Sequence, residues 1–147
     1  MIFYLKSMLI LFAPFSFLAS NTDDLKPKIE LVSPLESTRI FPGGTLNVNA
    51  VLSDNMALED YHISISKGGS DALCYVKCFS CNNLINASVD ATGNPLPIIK
   101  GKLNANLNFN IGVAKDAVIG DYDFTIHVKD KAGNKHIKKV NFMISRF

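Results

Sequence analysis

Apolar and polar residues alternate with a period of two along several long segments of this 147-residue chain. The clearest segment covers residues 103–111, where apolar residues at odd positions alternate with asparagines. A period of two places neighbouring side chains on opposite faces of an extended strand, so the pattern predicts half-buried β-strands. Similar alternation covers residues 46–52, 61–65, 122–128 and 140–144, and no segment keeps a helical period over ten residues.

Turn-forming residues separate these segments, as at Pro42-Gly43-Gly44 and at residues 130–134. About seven short strands separated by turns are typical of an immunoglobulin-like antiparallel β-sandwich, and we predict an all-β fold of this class. Tyr122 follows Gly120 at the start of a strand. This is the position of a tyrosine corner, whose hydroxyl bonds to upstream backbone, although an ordinary core tyrosine fits the same pattern.

Residues 1–20 have the features of a secretion signal. Lys6 is their only charge, and an apolar run of about twelve residues follows it, too short for a transmembrane helix of about 20 residues. We therefore predict three parts: a signal segment (1–20), a short exposed linker (21–27) and one sandwich domain (28–147). The expected location is the periplasm or cell surface of a Gram-negative bacterium.

The end of the leader bears on membrane anchoring. Leu18-Ala19-Ser20 matches the first three positions of a bacterial lipobox, but Asn21 stands where the lipidated cysteine would be. Without a thiol, no thioether to lipid can form. We expect membrane association only through an uncleaved leader.

Several turn motifs together resemble those of one bacterial family of Ig-like surface lipoproteins, domain of unknown function 4625. The resemblance covers residues 26–147 and implies an Ig-like fold, but it brings no established activity. The chain departs from the family pattern in lacking the lipidation cysteine and in a cysteine-rich segment at 74–81. The motifs that carry the resemblance are Lys26-Pro27-Lys28-Ile29-Glu30-Leu31, Pro34, Ser53-Asp54-Asn55, Leu58-Glu59-Asp60-Tyr61, Gly120-Asp121-Tyr122 and Asp130-Lys131-Ala132-Gly133-Asn134.

The three cysteines, Cys74, Cys78 and Cys81, have the spacing of the radical-SAM iron–sulfur motif. An exported β domain offers neither the large barrel nor the reducing compartment which that chemistry requires, and a metal site would lack a nearby fourth ligand. In a strand, Cys74 and Cys78 would lie about 13 Å apart, beyond the roughly 7 Å limit for a disulfide. Cys78 with Cys81 is therefore the favoured local pair, and three unpaired thiols remain the alternative.

Acidic and amide side chains gather in two predicted loops. Asp54 and Asn55 follow the second strand, and Asp130 and Asn134 lie between the last two strands. In an Ig-like sandwich these loops meet at one end, and oxygen donors in proximity suit Ca²⁺. Backbone capping within the turns explains the same residues without a metal. Weak calcium binding is thus one hypothesis, and no other cofactor is expected.

The functional expectation is a non-catalytic module that binds a protein or a glycan at the cell envelope. Net charge is +2, of which the leader supplies one, so nucleic-acid binding is not expected. A row of four asparagines on one strand face could present amides to a glycan, and no histidine lies in a nucleophile motif. The alternative is a structural or assembly component of a larger envelope complex, paired through an edge strand.

Overall fold

A computed structural model describes residues 23–71, 74–75, 79–80, 83–84 and 89–146 of the chain. The predicted signal segment lies outside these residues, as do Cys78 and Cys81. Within the described residues every regular element is a β-strand. The strands are β1 (Lys28–Ser33), β2 (Thr38–Ile40), β3 (Thr45–Ser53), β4 (Leu58–Lys67), β5 (Ser70–Asp71), β6 (Cys74–Tyr75), β7 (Phe79–Ser80), β8 (Asn83–Leu84), β9 (Asn104–Val113), β10 (Gly120–Asp130) and β11 (Lys135–Ile144).

Two sheets form the sandwich. The first sheet has the order β1-β3-β9-β6 and the second has the order β2-β11-β10-β4-β5, while β7 and β8 form a separate hairpin. Strands β2 and β11 pair in parallel, and the other pairs within the two sheets are antiparallel. This order matches the two sheets of an Ig domain, with β2 and β5 added at the edges of the second sheet. The predicted Ig-like sandwich is confirmed.

The period of two in the sequence becomes the division between core and surface. On β3 the side chains of Leu46, Val48, Ala50 and Leu52 are fully buried, and β9 and β10 alternate in the same way. The inner faces of both sheets therefore supply one shared core, as in other aligned sandwiches. Its largest fully buried side chains are Phe109, Phe124 and Phe142.

A tyrosine corner closes the connection between β9 and β10. The Tyr122 hydroxyl donates a hydrogen bond of 2.5 Å to the Val118 carbonyl oxygen, four residues upstream, and the ring stacks on Phe142 with centroids 5.6 Å apart. Burial raises the pKa of this phenol, so the hydroxyl remains a donor at neutral pH. The predicted corner is confirmed.

Candidate functional site

The loops at one end of the sandwich are joined by backbone hydrogen bonds. Asp54 N–H donates to the Leu103 carbonyl at 2.8 Å, and Lys131 N–H donates to the Ala57 carbonyl at 2.8 Å. We call the segments 23–27, 54–57, 100–103 and 131–134 together the loop end. The arrangement places the loops after β3 and β10 side by side, as the sequence predicted from Ig topology.

The loops after β3 and β10 are each shaped by an aspartate that accepts hydrogen bonds within its own turn. Asp54 Oδ2 accepts hydrogen bonds from the N–H groups of Met56 and Ala57 at 2.9 and 2.8 Å. Asp130 Oδ1 accepts the Asn134 N–H at 2.8 Å, while its Oδ2 accepts the Asn134 side-chain amide at 2.8 Å. These bonds are the turn chemistry expected of Asp and Asn. They also fix where the carboxylates lie.

The segment that precedes β1 is held in the loop end by side chains from other parts of the chain. Asn134 Nδ2 donates to the carbonyl oxygens of Asp23 and Leu25 at 2.8 and 3.1 Å. The His136 ring nitrogen Nδ1 lies 2.8 Å from the Pro27 carbonyl oxygen. Residues 23–27, predicted as an exposed linker, thus include a docked stretch in which Pro27 is buried.

Docking of this segment brings a third carboxylate to the loop end. Asp23, Asp54 and Asp130 each offer an oxygen, and these three oxygens lie within 4.8 Å of one another. Two ligands of one Ca²⁺ ion, each about 2.4 Å from it, can be at most about 4.8 Å apart. The spacing therefore fits a shared calcium ion. We refer to these three residues as the carboxylate cluster.

Two oxygens of the carboxylate cluster have no hydrogen-bond donor among the described residues. These are Asp23 Oδ2 and Asp54 Oδ1, which are both buried, and Asp130 is fully buried. The ion pairs found among the described residues involve other acids, so none of these pairs includes a carboxylate of the cluster. Buried carboxylate oxygens without a donor are costly, and a bound cation would remove that cost.

The structure brings all four residues predicted for calcium to the loop end. Asp54 and Asp130 supply carboxylate oxygens, whereas the two amides bond to members of the cluster: Asn134 to Asp130 at 2.8 Å and Asn55 to Asp23 Oδ1 at 2.9 Å. Asp23 was missed because its position depends on a contact with Asn134, 111 residues away in sequence. The acidic pair Asp23-Asp24, which follows the predicted leader, was the available signal. Calcium binding itself stays a prediction.

A cleft lies beside the carboxylate cluster. Its volume is about 400 Å³, within the range of small-ligand sites. Exposed apolar side chains occur on the same loop end, since Met56 is 52% and Leu103 is 50% exposed. Exposed apolar groups and carboxylates therefore occur at the same end of the sandwich. The cleft is lined by Leu25, Lys26, Lys28, Ser53, Asp54 and Asn55.

The predicted asparagine row occupies the outer face of the first sheet. Asn104, Asn106 and Asn108 are exposed on β9. Asn110 accepts a hydrogen bond of 3.1 Å from Asn47 on β3, and Asn49 lies opposite Asn108. The amides thus form a band across two strands. We call these six residues the amide face.

A second turn with the same residue spacing holds one end of the amide face in place. Asp90 Oδ1 accepts three hydrogen bonds of 2.8–2.9 Å from Thr92 and Asn94, and Oδ2 accepts the Asn110 N–H at 2.9 Å. Burial raises the pKa of this carboxyl, but these hydrogen bonds outweigh it and lower the pKa to about 2. The turn D-A-T-G-N (90–94) repeats the pattern of D-K-A-G-N (130–134), a signal that sequence reasoning overlooked.

The cysteine predictions fall mostly outside the described residues. Cys78 and Cys81 lie outside them, and only the backbone of Cys74 is described, where it pairs with Val113 at the edge of the first sheet. The favoured Cys78–Cys81 disulfide therefore stays a prediction. Among the described residues, no helix is long and apolar enough to cross a membrane.

Three solved structures align with this chain, and the first of them shows the fold. The GspB Siglec domain aligns with a TM-score of 0.52 and 15% identity, covering 84% of this chain and 59% of its own length. The ZirS C-terminal domain aligns with a TM-score of 0.44 and 8% identity over 99% of this chain and 87% of that one. A DUF4466 family protein from Parabacteroides merdae aligns with a TM-score of 0.42 and 13% identity over 82% and 44%.

Sequence comparison identifies the family. A search of curated proteins gives no match. The model of the family described as "Domain of unknown function (DUF4625)" matches residues 17–145, a range that includes both sheets. The predicted resemblance is therefore confirmed, and this chain is a member of the DUF4625 family.

Proposed function

We propose that this protein is an exported, non-catalytic Ig-like module that binds a protein or glycan partner at the bacterial cell envelope through its loop end. The observation that carries the proposal is the cleft of about 400 Å³ beside the carboxylate cluster. Loops held on a rigid sandwich are the usual binding surface of Ig-like domains. The exposed Met56 and Leu103 side chains add apolar contact area at the same end.

Calcium is the ion that we propose for the carboxylate cluster. Oxygen ligands alone, in a shell that backbone carbonyls and water can complete, suit a hard cation. Three carboxylates and few further ligands place the affinity in the weak extracellular range, with a Kd of about 10⁻⁴ to 10⁻³ M. At about 10 mM Ca²⁺, this affinity corresponds to a gain of about 1.4 to 2.7 kcal/mol in the free energy of unfolding.

Substitution of Asp54 by Asn tests the ion without destroying the turn. The oxygen of the introduced side-chain amide can still accept the Met56 and Ala57 N–H groups, while its nitrogen replaces the unpartnered oxygen. Without calcium we expect Asp54→Asn to be at least as stable as the wild type, because one repelling charge is removed. With calcium it should gain much less stability than the wild type. Asp121→Asn, at an exposed carboxylate outside the cluster, is the matched control.

Thermal melts with and without Ca²⁺ provide the measurement for all three proteins. If calcium does not raise the melting temperature of the wild type, the calcium proposal is wrong and these aspartates serve only to cap their turns. Mg²⁺ serves as a second control, since its smaller octahedral shell fits flexible carboxylate sites less well.

Partner binding is tested on glycan arrays and with envelope fractions, in Ca²⁺ and in chelator. We expect bound material to be lost when Met56→Asp or Leu103→Asp places a charge on the loop end. Binding that survives both substitutions would exclude the loop end as the partner surface, and loss on Asn106→Asp alone would move the site to the amide face.

Export is the proposed route to this location. The support is the leader, with one basic residue, a short apolar run and small residues before Asn21. The amino terminus of the native protein should begin near residues 20–23. A fatty-acid probe should not label it, because Asn21 has no thiol. An intact Met1 on cytoplasmic protein would refute export.

An assembly role is the second candidate, and the edge strand β1 favours it. β1 lies at the border of the first sheet, and its Val32 side chain is 48% exposed. Among the described strands none pairs with the outer side of β1, and such an edge can accept a strand from another protein. Val32→Lys should weaken such an assembly, as measured by the size of the native complex, without changing calcium-dependent stability.

A further inference from the structure

Two histidines lie directly opposite each other on the outer face of the second sheet. His62 on β4 pairs in register with His127 on β10. Both side chains are half-buried, and each lies next in sequence to a buried core residue, Ile63 and Ile126 respectively. The ring centroids are 5.6 Å apart and the ring planes are tilted by 53°.

A cleft of about 290 Å³ opens over the two rings. His62 Nδ1 is buried and has no hydrogen-bond partner in the part of the chain that the structure describes. Burial lowers the pKa of His62, and the neighbouring His127 lowers it further against the opposing effect of Asp60. A neutral imidazole keeps one nitrogen lone pair that can bind a metal ion.

We propose that His62 and His127 form a two-nitrogen binding site for a divalent transition-metal ion. Directly opposed residues in an antiparallel pair have Cβ atoms about 4.5–5.5 Å apart. Two imidazole nitrogens that share one ion at about 2.0–2.1 Å lie at most about 4.2 Å apart. Ring centroids 5.6 Å apart are compatible with two nitrogens that face each other at this spacing.

The ligand atoms select the class of ion. Imidazole nitrogen suits Ni²⁺, Cu²⁺ and Zn²⁺, whereas Ca²⁺ and Mg²⁺ take oxygen ligands. Asp60, which also lines the cleft, is engaged by the Lys129 ammonium group at 3.5 Å. The two histidines therefore provide the protein ligands, and water completes the shell. Lys135 also lines the cleft. Its positive charge repels the metal ion, so we expect binding to be weak.

Nickel titration of the full chain tests the site. The cysteine thiols are first alkylated, so that they cannot compete for the metal. We expect one Ni²⁺ ion per chain, bound at least about tenfold more weakly by His62→Asn and by His127→Asn, because each loses one of two ligands. His136→Asn is the matched control, since His136 contacts the Pro27 carbonyl and lies outside this cleft.

Two further readouts keep the test decisive. Paramagnetic resonance of Cu²⁺ bound to the wild type should report two nitrogen ligands, which requires no variant to fold. Excess Ca²⁺ should not displace Ni²⁺, so failure of the calcium proposal leaves this one intact. Equal Ni²⁺ affinity in the wild type and in both cleft variants would overturn the proposal, as would a Cu²⁺ spectrum with fewer than two nitrogen ligands.

Discussion

Asp90→Asn should destabilise the protein through one oxygen atom. In the wild type, Asp90 Oδ1 accepts three hydrogen bonds and Oδ2 accepts the Asn110 N–H. The oxygen of the introduced asparagine can keep the three hydrogen bonds. Its amide nitrogen then faces the Asn110 N–H, and both groups are donors. One charge-assisted bond is lost and one donor is left unpaired, which costs about 2–4 kcal/mol in the free energy of unfolding.

The same substitution should change how stability depends on pH. The pKa of Asp90 falls from 3.8 to about 2 on folding. A carboxyl whose folded pKa is depressed stabilises the protein above the unfolded pKa, and this contribution is lost as the pH falls through the folded value. The stability difference between wild type and Asp90→Asn should therefore be full above about pH 5 and shrink as the pH falls towards about 2.

Urea unfolding from pH 7 to pH 2 measures both effects, with Asp116→Asn as a control at an exposed carboxylate. The control should change stability by less than about 0.5 kcal/mol. A difference for Asp90→Asn that is equally small at pH 7, or that stays constant down to pH 2, would refute the reasoning from its hydrogen bonds.

Two further substitutions test the core and the corner. Phe124→Ala should lower the free energy of unfolding by about 3–5 kcal/mol, because Phe124 is fully buried. The neighbouring Thr125→Ala, on the outer face, should lower it by under about 1 kcal/mol. Equal losses in denaturant melts would contradict the assigned faces. Tyr122→Phe should cost about 0.5–1.5 kcal/mol by deleting its bond to the Val118 carbonyl, and unchanged thermal stability would show that the corner contributes nothing.

The fold was predictable because alternation records which face each residue occupies. Leu46 to Leu52 and Tyr122 to Val128 alternate over their whole length, and their strands lie where the pattern placed them. Residues 70–100 resisted prediction because strands of two residues, such as β5, are too short to show a period. The outer face of an alternating strand is also visible in the sequence, which is why the asparagines of β9 were identified.

The candidate site was predictable only in part. Asp54 and Asp130 could be placed together because Ig topology brings their loops to one end. Asp23 could not, since its place is set by hydrogen bonds from Asn134 to backbone carbonyls far away in sequence. The register of β4 against β10, which pairs His62 with His127, likewise depends on a bulge near Lys129 that no local pattern reports.

The parallel pairing of β2 with β11 has a mechanical consequence. β1 starts at the loop end and β11 finishes at the opposite end, so tension on the two termini runs along the sandwich. This tension would pull β2 and β11 in opposite directions along their length. Thr38 to Ile40 are hydrogen-bonded in parallel to Phe142 to Ile144. These hydrogen bonds are loaded in shear and must break together rather than one after another. We therefore expect the sandwich to resist stretching along its long axis.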